Sequence, residues 1–195
     1  MATLFLVSAC GGSNRNPEGS GGSGGDSLIQ SAPVAPPAAA GPGIYTFGYE
    51  GAAGSILVPT PATDPRLIEI ESYRKLAGAA PATYFIADVN NMAGTETLNM
   101  YRAIVTTDTG AQFEASNIGH LVDEWREAFS VDNAEDREKY NIGVNLNNDN
   151  MFYLKPGAKG TAILAAEGEL DGSPSRVYVS PQGAMAEVEA TKAAG

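Results

Sequence analysis

One stretch of this 195-residue chain, residues 150–166, constrains the fold most because it has the pattern of two β-strands joined by a tight turn. Bulky residues suited to a pleated surface occupy 151–154, and aliphatic residues follow at 162–164. Between them, Pro156 has the fixed φ of the first corner of a turn, and Gly157 can adopt the positive φ that a type II turn needs at its second corner. The pattern predicts a β-hairpin on which further strands pack.

Other stretches with alternating side chains predict those further strands. In one of them, Phe85, Ala87 and Val89 fall on one face, while Tyr84 and Ile86 fall on the other. The stretch that begins at residue 66 is ambiguous between a strand and a helical turn, and we interpret it as a strand through residue 73. Strands are expected at 44–58, 66–73, 83–90, 98–107, 112–114, 142–146 and 176–180.

A single segment has the period of a helix. Leu121, Trp125 and Phe129 recur at helical spacing with charged residues on the opposite face, which predicts one helix over about 119–130. The charged residues at 132–139 predict a loop. Short strands separated by Gly, Asn and Pro turns and interrupted by one helix predict an all-β fold, an antiparallel β-sandwich.

The composition divides the chain into segments. Residues 11–43 are rich in Gly, Ser, Pro and Ala, and such a segment buries too little apolar surface to offset its ordering entropy. We expect the β-sandwich domain at 44–181 and a flexible C-terminal tail at 182–195. The formal charge of −11 argues against binding to nucleic acid, because a phosphate backbone requires a basic surface.

The N-terminal residues resemble the lipobox of bacterial lipoproteins. Val7, Ser8 and Ala9 precede Cys10, which is the only cysteine of the chain. The resemblance implies that residues 1–9 are a signal peptide, that Cys10 is lipidated and that residues 10–43 are a tether. It also implies an extracytoplasmic, lipid-anchored protein, at the outer membrane or cell surface if the source is Gram-negative. The alternative is an apolar N-terminus with an incidental cysteine.

The order of features from residue 83 to 181 is similar to that of the telokin-like, immunoglobulin-type domains of bacterial extracytoplasmic lipoproteins. The features are a first strand and turn at 84–94, an Asp-Thr-Gly turn at 108–110 and the Lys-Pro-Gly turn at 155–157. The resemblance implies an immunoglobulin-like β-sandwich with one inserted helix, and a surface-binding or envelope role. It carries over no catalytic residues.

The predicted helix and the acidic residues that follow it form a candidate partner-binding surface. Its members are Leu121, Trp125, Phe129, Asp132 and Glu135. Aromatic residues in an exposed stripe are typical of binding surfaces, but a helix face directed at the core has the same pattern. Both interpretations are open at this stage.

Oxygen-rich clusters suggest a weak candidate metal site at Asp88, Asn90, Asn147 and Asp149, because Ca²⁺ prefers oxygen ligands. Asn and Asp also favour turns, which is the simpler explanation of these residues. His120 is the only histidine, and no motif links it to a nucleophile. The sequence therefore predicts no enzyme and no cofactor, but a lipid-anchored module that binds a protein or envelope partner. The alternative is an acidic module that binds Ca²⁺ or a small ligand.

Overall fold

A computed structural model describes residues 40–194 of the chain. The region contains eight strands: β1 (Gly43–Tyr49), β2 (Ala52–Thr60), β3 (Ala82–Asn90), β4 (Arg102–Thr107), β5 (Gln112–Asn117), β6 (Lys159–Glu167), β7 (Pro174–Gln182) and β8 (Ala186–Lys192). It also contains three α-helices: α1 (Ile68–Leu76), α2 (Gly119–Arg126) and α3 (Ala134–Asp149). A short 3-10 helix at Pro65–Leu67 leads into α1. The predicted signal peptide, Cys10 and most of the predicted tether lie outside the described residues.

The strands form a closed antiparallel barrel in the order β1-β2-β3-β6-β5-β4-β7-β8, so the predicted β-sandwich is wrong. Closure depends on β8, which pairs with β7 and also with β1, where Tyr45 lies opposite Lys192. We expected residues 182–195 to be a flexible tail, but Ala186–Lys192 forms this closing strand. A sandwich and a barrel share the same alternation of side chains, and pairing between distant strands distinguishes them. With that correction, the resemblance to immunoglobulin-type domains does not extend to the fold.

Side chains from all around the sheet fill the barrel. Strand β3 has the predicted orientation: Phe85, Ala87 and Val89 point into the barrel, whereas Tyr84 and Ile86 point outward. We call the interior cluster the barrel core; its buried members are Tyr45, Phe47, Ala52, Ile56, Val58, Phe85, Ala87, Val89, Leu98, Met100, Ala103, Val105, Ala115, Leu154, Ala162, Leu164, Val177, Val179 and Ala190.

A second cluster lies between the outer face of the sheet and the helices. We call it the outer core; its buried members are Leu67, Ile70, Tyr73, Tyr84, Ile86, Ile118, Leu121, Val122, Trp125, Leu146, Ile163 and Ala165. Strands β3 and β6 therefore bury side chains on both faces, one towards the barrel core and one towards the helices.

The three helices correct the prediction of a single helix. The helix expected over about 119–130 is present as α2. The strand expected at 66–73 is instead the end of the 3-10 helix and the start of α1. The loop expected at 132–139 and the strand expected at 142–146 lie largely in α3. The start of α3 has a strong N-cap, since the Asn133 side chain accepts a hydrogen bond of 2.8 Å from the backbone N–H of Asp136. Within residues 40–194, no helix is long and apolar enough to cross a membrane.

The stretch 150–166 is only partly as predicted. The turn is present: Gly157 has φ of +85°, and the backbone N–H of Ala158 donates to the carbonyl of Lys155. The hairpin is wrong, because the residues before the turn form only an isolated bridge, between Leu154 and Leu98. Strand β6 pairs instead with β3 and β5. A turn is set by local sequence, whereas the partners of a strand are not.

Candidate functional site

An open groove of about 490 Å³ runs between α1 and α3 on the outside of the barrel. Its lining residues are Ile68, Glu69, Ser72, Tyr73, Leu76, Ile142, Asn145, Leu146 and Asp149. We call this feature the α1–α3 groove.

Three aliphatic side chains of the α1–α3 groove are exposed to solvent. The exposed fractions are 58% for Ile68, 48% for Leu76 and 43% for Ile142. Ile68, Ser72 and Leu76 occupy positions i, i+4 and i+8, so they follow one side of α1. The side of α1 that carries Ile70 and Tyr73 is buried in the outer core. The outer core is therefore complete without these three residues, which leaves an apolar surface available to a partner.

The rim of the α1–α3 groove is acidic. Glu69 and Asp149 are exposed, and neither forms an ion pair with another residue of the 40–194 region. The neighbouring Glu71 is neutralised by Arg74, with 2.8 Å between Oε1 and Nε. The uncompensated charge at the groove is therefore negative.

A buried polar network attaches α1 to the barrel. The hydroxyl of Tyr84, on β3, donates a hydrogen bond of 2.6 Å to Oε1 of Glu71, and Arg74 donates to both carboxylate oxygens. Hydrogen bonds from Arg74 lower the pKa of Glu71, so the carboxylate remains charged at neutral pH. Burial raises the pKa of Tyr84, which therefore stays protonated and able to donate. The network holds one wall of the groove in place.

A close approach between α3 and Tyr73 forms the floor of the groove. A Cβ atom on Gly143 would lie 2.2 Å from the Tyr73 hydroxyl oxygen and 2.9 Å from Cβ of Arg126. Only glycine permits α3 to pass this close to the other two helices. Gly143 therefore sets the separation of the groove walls.

The predicted partner-binding residues divide into two groups. Leu121 and Trp125 are buried in the outer core, with exposed fractions of 9% and 4%, and Phe129 packs at its edge. Asp132 and Glu135 are exposed, and Glu135 forms an ion pair of 2.7 Å with Lys139. The apolar face of α2 is thus directed at the core, and an exposed stripe does not form there.

Sequence reasoning missed the exposed aliphatic residues of the groove. Ile68 and Leu76 lay in a segment interpreted partly as a strand, and Ile142 in one interpreted as a strand after a loop. The spacing of Ile68, Ser72 and Leu76 was the available signal. Ile68 and Ile70 also fit alternation, so the helical spacing did not stand out.

The candidate metal residues lie on two separate elements, Asp88 and Asn90 on β3 and Asn147 and Asp149 on α3. Asp88 accepts a hydrogen bond of 2.6 Å from Thr161 and pairs with Arg66 at 3.3 Å.

The amides in this set also bond within the protein. Nδ2 of Asn147 donates to Asp123 at 2.6 Å, and Oδ1 of Asn90 accepts from the backbone of Met92. Among residues 40–194, no group of three or more His, Cys, Asp or Glu is arranged to hold a metal ion. Calcium binding stays a prediction that no observation here favours.

His120 is exposed near the start of α2 and lines a second pocket, of about 290 Å³. We call it the tyrosine pocket; its lining residues are Asn99, Tyr101, Asn117, His120, Met151, Phe152 and Tyr153. The pocket contains no serine or cysteine that a histidine base would activate, and no carboxylate that would orient the histidine. The absence of enzyme activity stays a prediction.

Comparison of the chain with protein-family models, curated proteins and solved structures finds no match.

Proposed function

We propose that this protein is a lipid-anchored, non-enzymatic binding module of the bacterial cell envelope, and that the α1–α3 groove binds a segment of a partner protein. The observation that carries the proposal is the exposure of Ile68, Leu76 and Ile142 along a single groove. Lipidation of Cys10 would bring the groove to a membrane surface, and residues 11–39 would provide the reach.

The partner segment is an amphipathic one that carries aliphatic and basic side chains. Aliphatic side chains match the three exposed residues of the groove, and binding would remove their remaining exposed apolar surface from water. Lys or Arg side chains match Glu69 and Asp149 at the rim. These charges add specificity and association rate, and their contribution falls as the salt concentration rises.

The groove is tested with a panel of amphipathic peptides in which the polar positions are either Lys or Glu. We measure their affinity for the full-length chain and for an Ile68→Asp/Ile142→Asp variant. The basic peptides are expected to bind, and the variant is expected to lose at least about tenfold in affinity, equal to 1.4 kcal/mol. Met185→Asp is the matched control, because Met185 is 98% exposed and lies outside the groove.

Equal binding by wild type, groove variant and Met185→Asp would contradict the groove as the binding site. Stronger binding of the Glu peptides would contradict the proposed charge match. Thermal unfolding of each variant shows whether a change in affinity reflects a change in stability.

The anchor is tested separately with Cys10→Ser. Wild type is expected to incorporate a labelled fatty acid and to be recovered in the membrane fraction. Cys10→Ser is expected to lose both properties. If Cys10→Ser stays in the membrane fraction and keeps the label, lipidation at Cys10 is wrong. Because this result does not depend on the groove, the two parts of the proposal fail independently.

A further inference from the structure

We infer that the tyrosine pocket binds a neutral saccharide. The pocket is separate from the α1–α3 groove and shares none of its lining residues, so the inference does not depend on the proposed function. Three features support it: the absence of charge in the lining, the exposed aromatic rings and the constrained backbone that presents them.

The lining of the tyrosine pocket contains no carboxylate, ammonium or guanidinium group. This is unusual on a chain with a net charge of −11. The α1–α3 groove and three further pockets in the 40–194 region each include charged residues, for example Asp88 and Lys159 in one and Asp108 and Arg176 in another. A lining without charge favours a neutral ligand over an ionic one, since an ion would lose hydration without gaining a partner.

Exposed side chains provide the flat apolar surface that a sugar ring requires. Tyr101 is 44% exposed, Tyr153 is 68% exposed and Met151 is 67% exposed. A tyrosine ring offers an apolar face for the C–H groups of a pyranose and a hydroxyl for hydrogen bonding. Tyrosine also loses little conformational entropy on binding, because its side chain has only two rotatable angles.

Polar groups in the pocket complement sugar hydroxyls. Oδ1 of Asn99 accepts a hydrogen bond of 3.0 Å from the backbone of Gly183, which orients the amide. Its Nδ2 group has no partner among residues 40–194, so it can donate to a ligand. The exposed His120 side chain adds a donor and an acceptor. A few oriented polar groups beside aromatic side chains are typical of small-ligand sites.

The backbone at the pocket is strained and firmly held. Met100 has φ of +43°, in the left-handed region that non-glycine residues rarely adopt, while its side chain is fully buried in the barrel core. Asn99 and Met100 both donate backbone hydrogen bonds to the carbonyl of Pro181, and Tyr101 donates to Ser180. Asn99 and Tyr101, the sequence neighbours of this buried residue, both line the pocket. Such conformations concentrate at ligand sites, where surrounding contacts maintain them.

The second tyrosine is fixed relative to the first by the bridge between the two segments. Leu98 and Leu154 exchange backbone hydrogen bonds of 2.9 and 2.8 Å. Tyr101 and Tyr153 therefore lie on segments that are joined directly before binding. A site arranged in advance loses less entropy when the ligand binds.

The test measures binding of uncharged oligosaccharides to the full-length chain by calorimetry. The probes are oligomers of glucose, galactose, mannose, fucose and N-acetylglucosamine, together with oligogalacturonate and chitosan oligomers as charged comparisons. We expect at least one neutral oligomer to bind and the charged oligomers not to bind.

Variants then locate the site. Tyr153→Ala is expected to weaken binding at least about tenfold, whereas Tyr153→Phe, which keeps the ring, is expected to stay within about threefold of wild type. Met151→Ala tests whether the third exposed side chain also contributes to saccharide binding. The Ile68→Asp/Ile142→Asp groove variant is the control and is expected to bind the saccharide as wild type does. Tyr153 is largely exposed, so its replacement leaves the fold intact, and thermal unfolding verifies this.

The inference is overturned if no neutral oligomer binds, or if Tyr101→Ala and Tyr153→Ala both bind as wild type does. It is also overturned if these variants lose affinity for the amphipathic peptides while saccharides fail to bind, because the pocket would then be part of a protein-binding surface. Failure of the peptide experiment at the α1–α3 groove leaves this test unaffected.

Discussion

The barrel core and the outer core bury similar kinds of side chain but are enclosed in different ways. Hydrogen-bonded strands surround the barrel core around its full circumference. The outer core has the sheet on one side and three helices on the other. It depends on a buried ionic network, Glu71 with Arg74 and Tyr84, and on a close contact at Gly143.

This difference explains why substitutions in the proposed peptide-binding groove are expected to leave the fold intact. The helices cover the outer face of the sheet but leave Ile68, Leu76 and Ile142 exposed at their own margin. The barrel continues to be closed if the groove residues change, because they take no part in strand pairing. We therefore expect stability to be concentrated inside the barrel, whereas the proposed peptide-binding groove lies in the helical layer.

The largest expected effect is in the barrel core. Phe85→Ala should lower the free energy of unfolding by about 3–5 kcal/mol, because the side chain is fully buried and the strands cannot collapse around the cavity. Phe85 also packs edge-to-face on Phe113, with the ring centres 6.0 Å apart. Urea unfolding measures the change.

The matched variant in the helical layer is Phe129→Ala. Phe129 is half-buried at the edge of the outer core, so its removal should cost clearly less than removal of Phe85. Equal losses for the two variants would show that the helical layer is as tightly enclosed as the barrel.

A smaller effect is expected from overpacking the contact between α3 and Tyr73. Gly143→Ala should destabilise the protein by about 1–3 kcal/mol, because the new Cβ would overlap the Tyr73 hydroxyl. Alanine favours helices more than glycine does, by about 1 kcal/mol, so the clash must exceed this gain. Thermal unfolding measures the loss of stability, and the affinity for the amphipathic peptides measures the effect on the α1–α3 groove.

Asn141→Ala is the control for that prediction, since it also raises helix propensity but lies on the exposed side of α3. It should leave stability unchanged or slightly higher. If Gly143→Ala is also stabilising, α3 moves away from Tyr73 at little cost, and the outer core is looser than its contacts indicate.

The smallest effect is expected from the titration of Glu71. Its pKa is below the ordinary value of 4.5 in the folded protein, mainly because Arg74 donates hydrogen bonds to it. The unfolded chain therefore binds this proton more readily. The resulting stabilisation is fully present above pH 4.5 and is lost as the pH falls below that value through the folded pKa. Urea unfolding at a series of pH values measures the loss.

Comparison with Glu71→Gln isolates this contribution, because other carboxylates with lowered pKa, at Asp64, Asp136 and Glu189, also contribute to the acid dependence of wild type. The variant should be less stable at pH 7 and show a weaker dependence on pH. Glu69→Gln, at an exposed position of the same helix, should follow wild type. If Glu71→Gln and wild type have parallel pH profiles, the network does not contribute as proposed.

Much of the local structure was predictable from the sequence. The alternation in residues 83–90 correctly identified β3 and both of its faces. The spacing of Leu121 and Trp125 correctly identified α2, although the helix ends at Arg126, before Phe129. The Pro156-Gly157 turn was also correct. In each case the signal involves residues within a few positions of one another, where steric and hydrogen-bonding preferences act directly.

The candidate site was less predictable. The helical period of Trp125 was recognised, but its burial depends on β3 and β6, which are distant in the sequence. Similarly, Tyr101 and Tyr153 come together through the bridge between Leu98 and Leu154, and neither segment has a pattern that specifies the other.

By itself, the sequence determined the turns, the period of β3 and α2, the net charge and the lipobox-like context of Cys10. The tertiary structure decided that the sheet closes into a barrel, that α1 and α3 flank a groove, and that the tyrosine pocket is lined without carboxylate, ammonium or guanidinium groups. The sequence did not predict the barrel because alternation only places side chains on one of two faces of a strand. Closure of the barrel depends on hydrogen bonds between the first strand and the last. Those bonds join residues almost 150 positions apart, such as Tyr45 and Lys192, and local preferences do not reach that far.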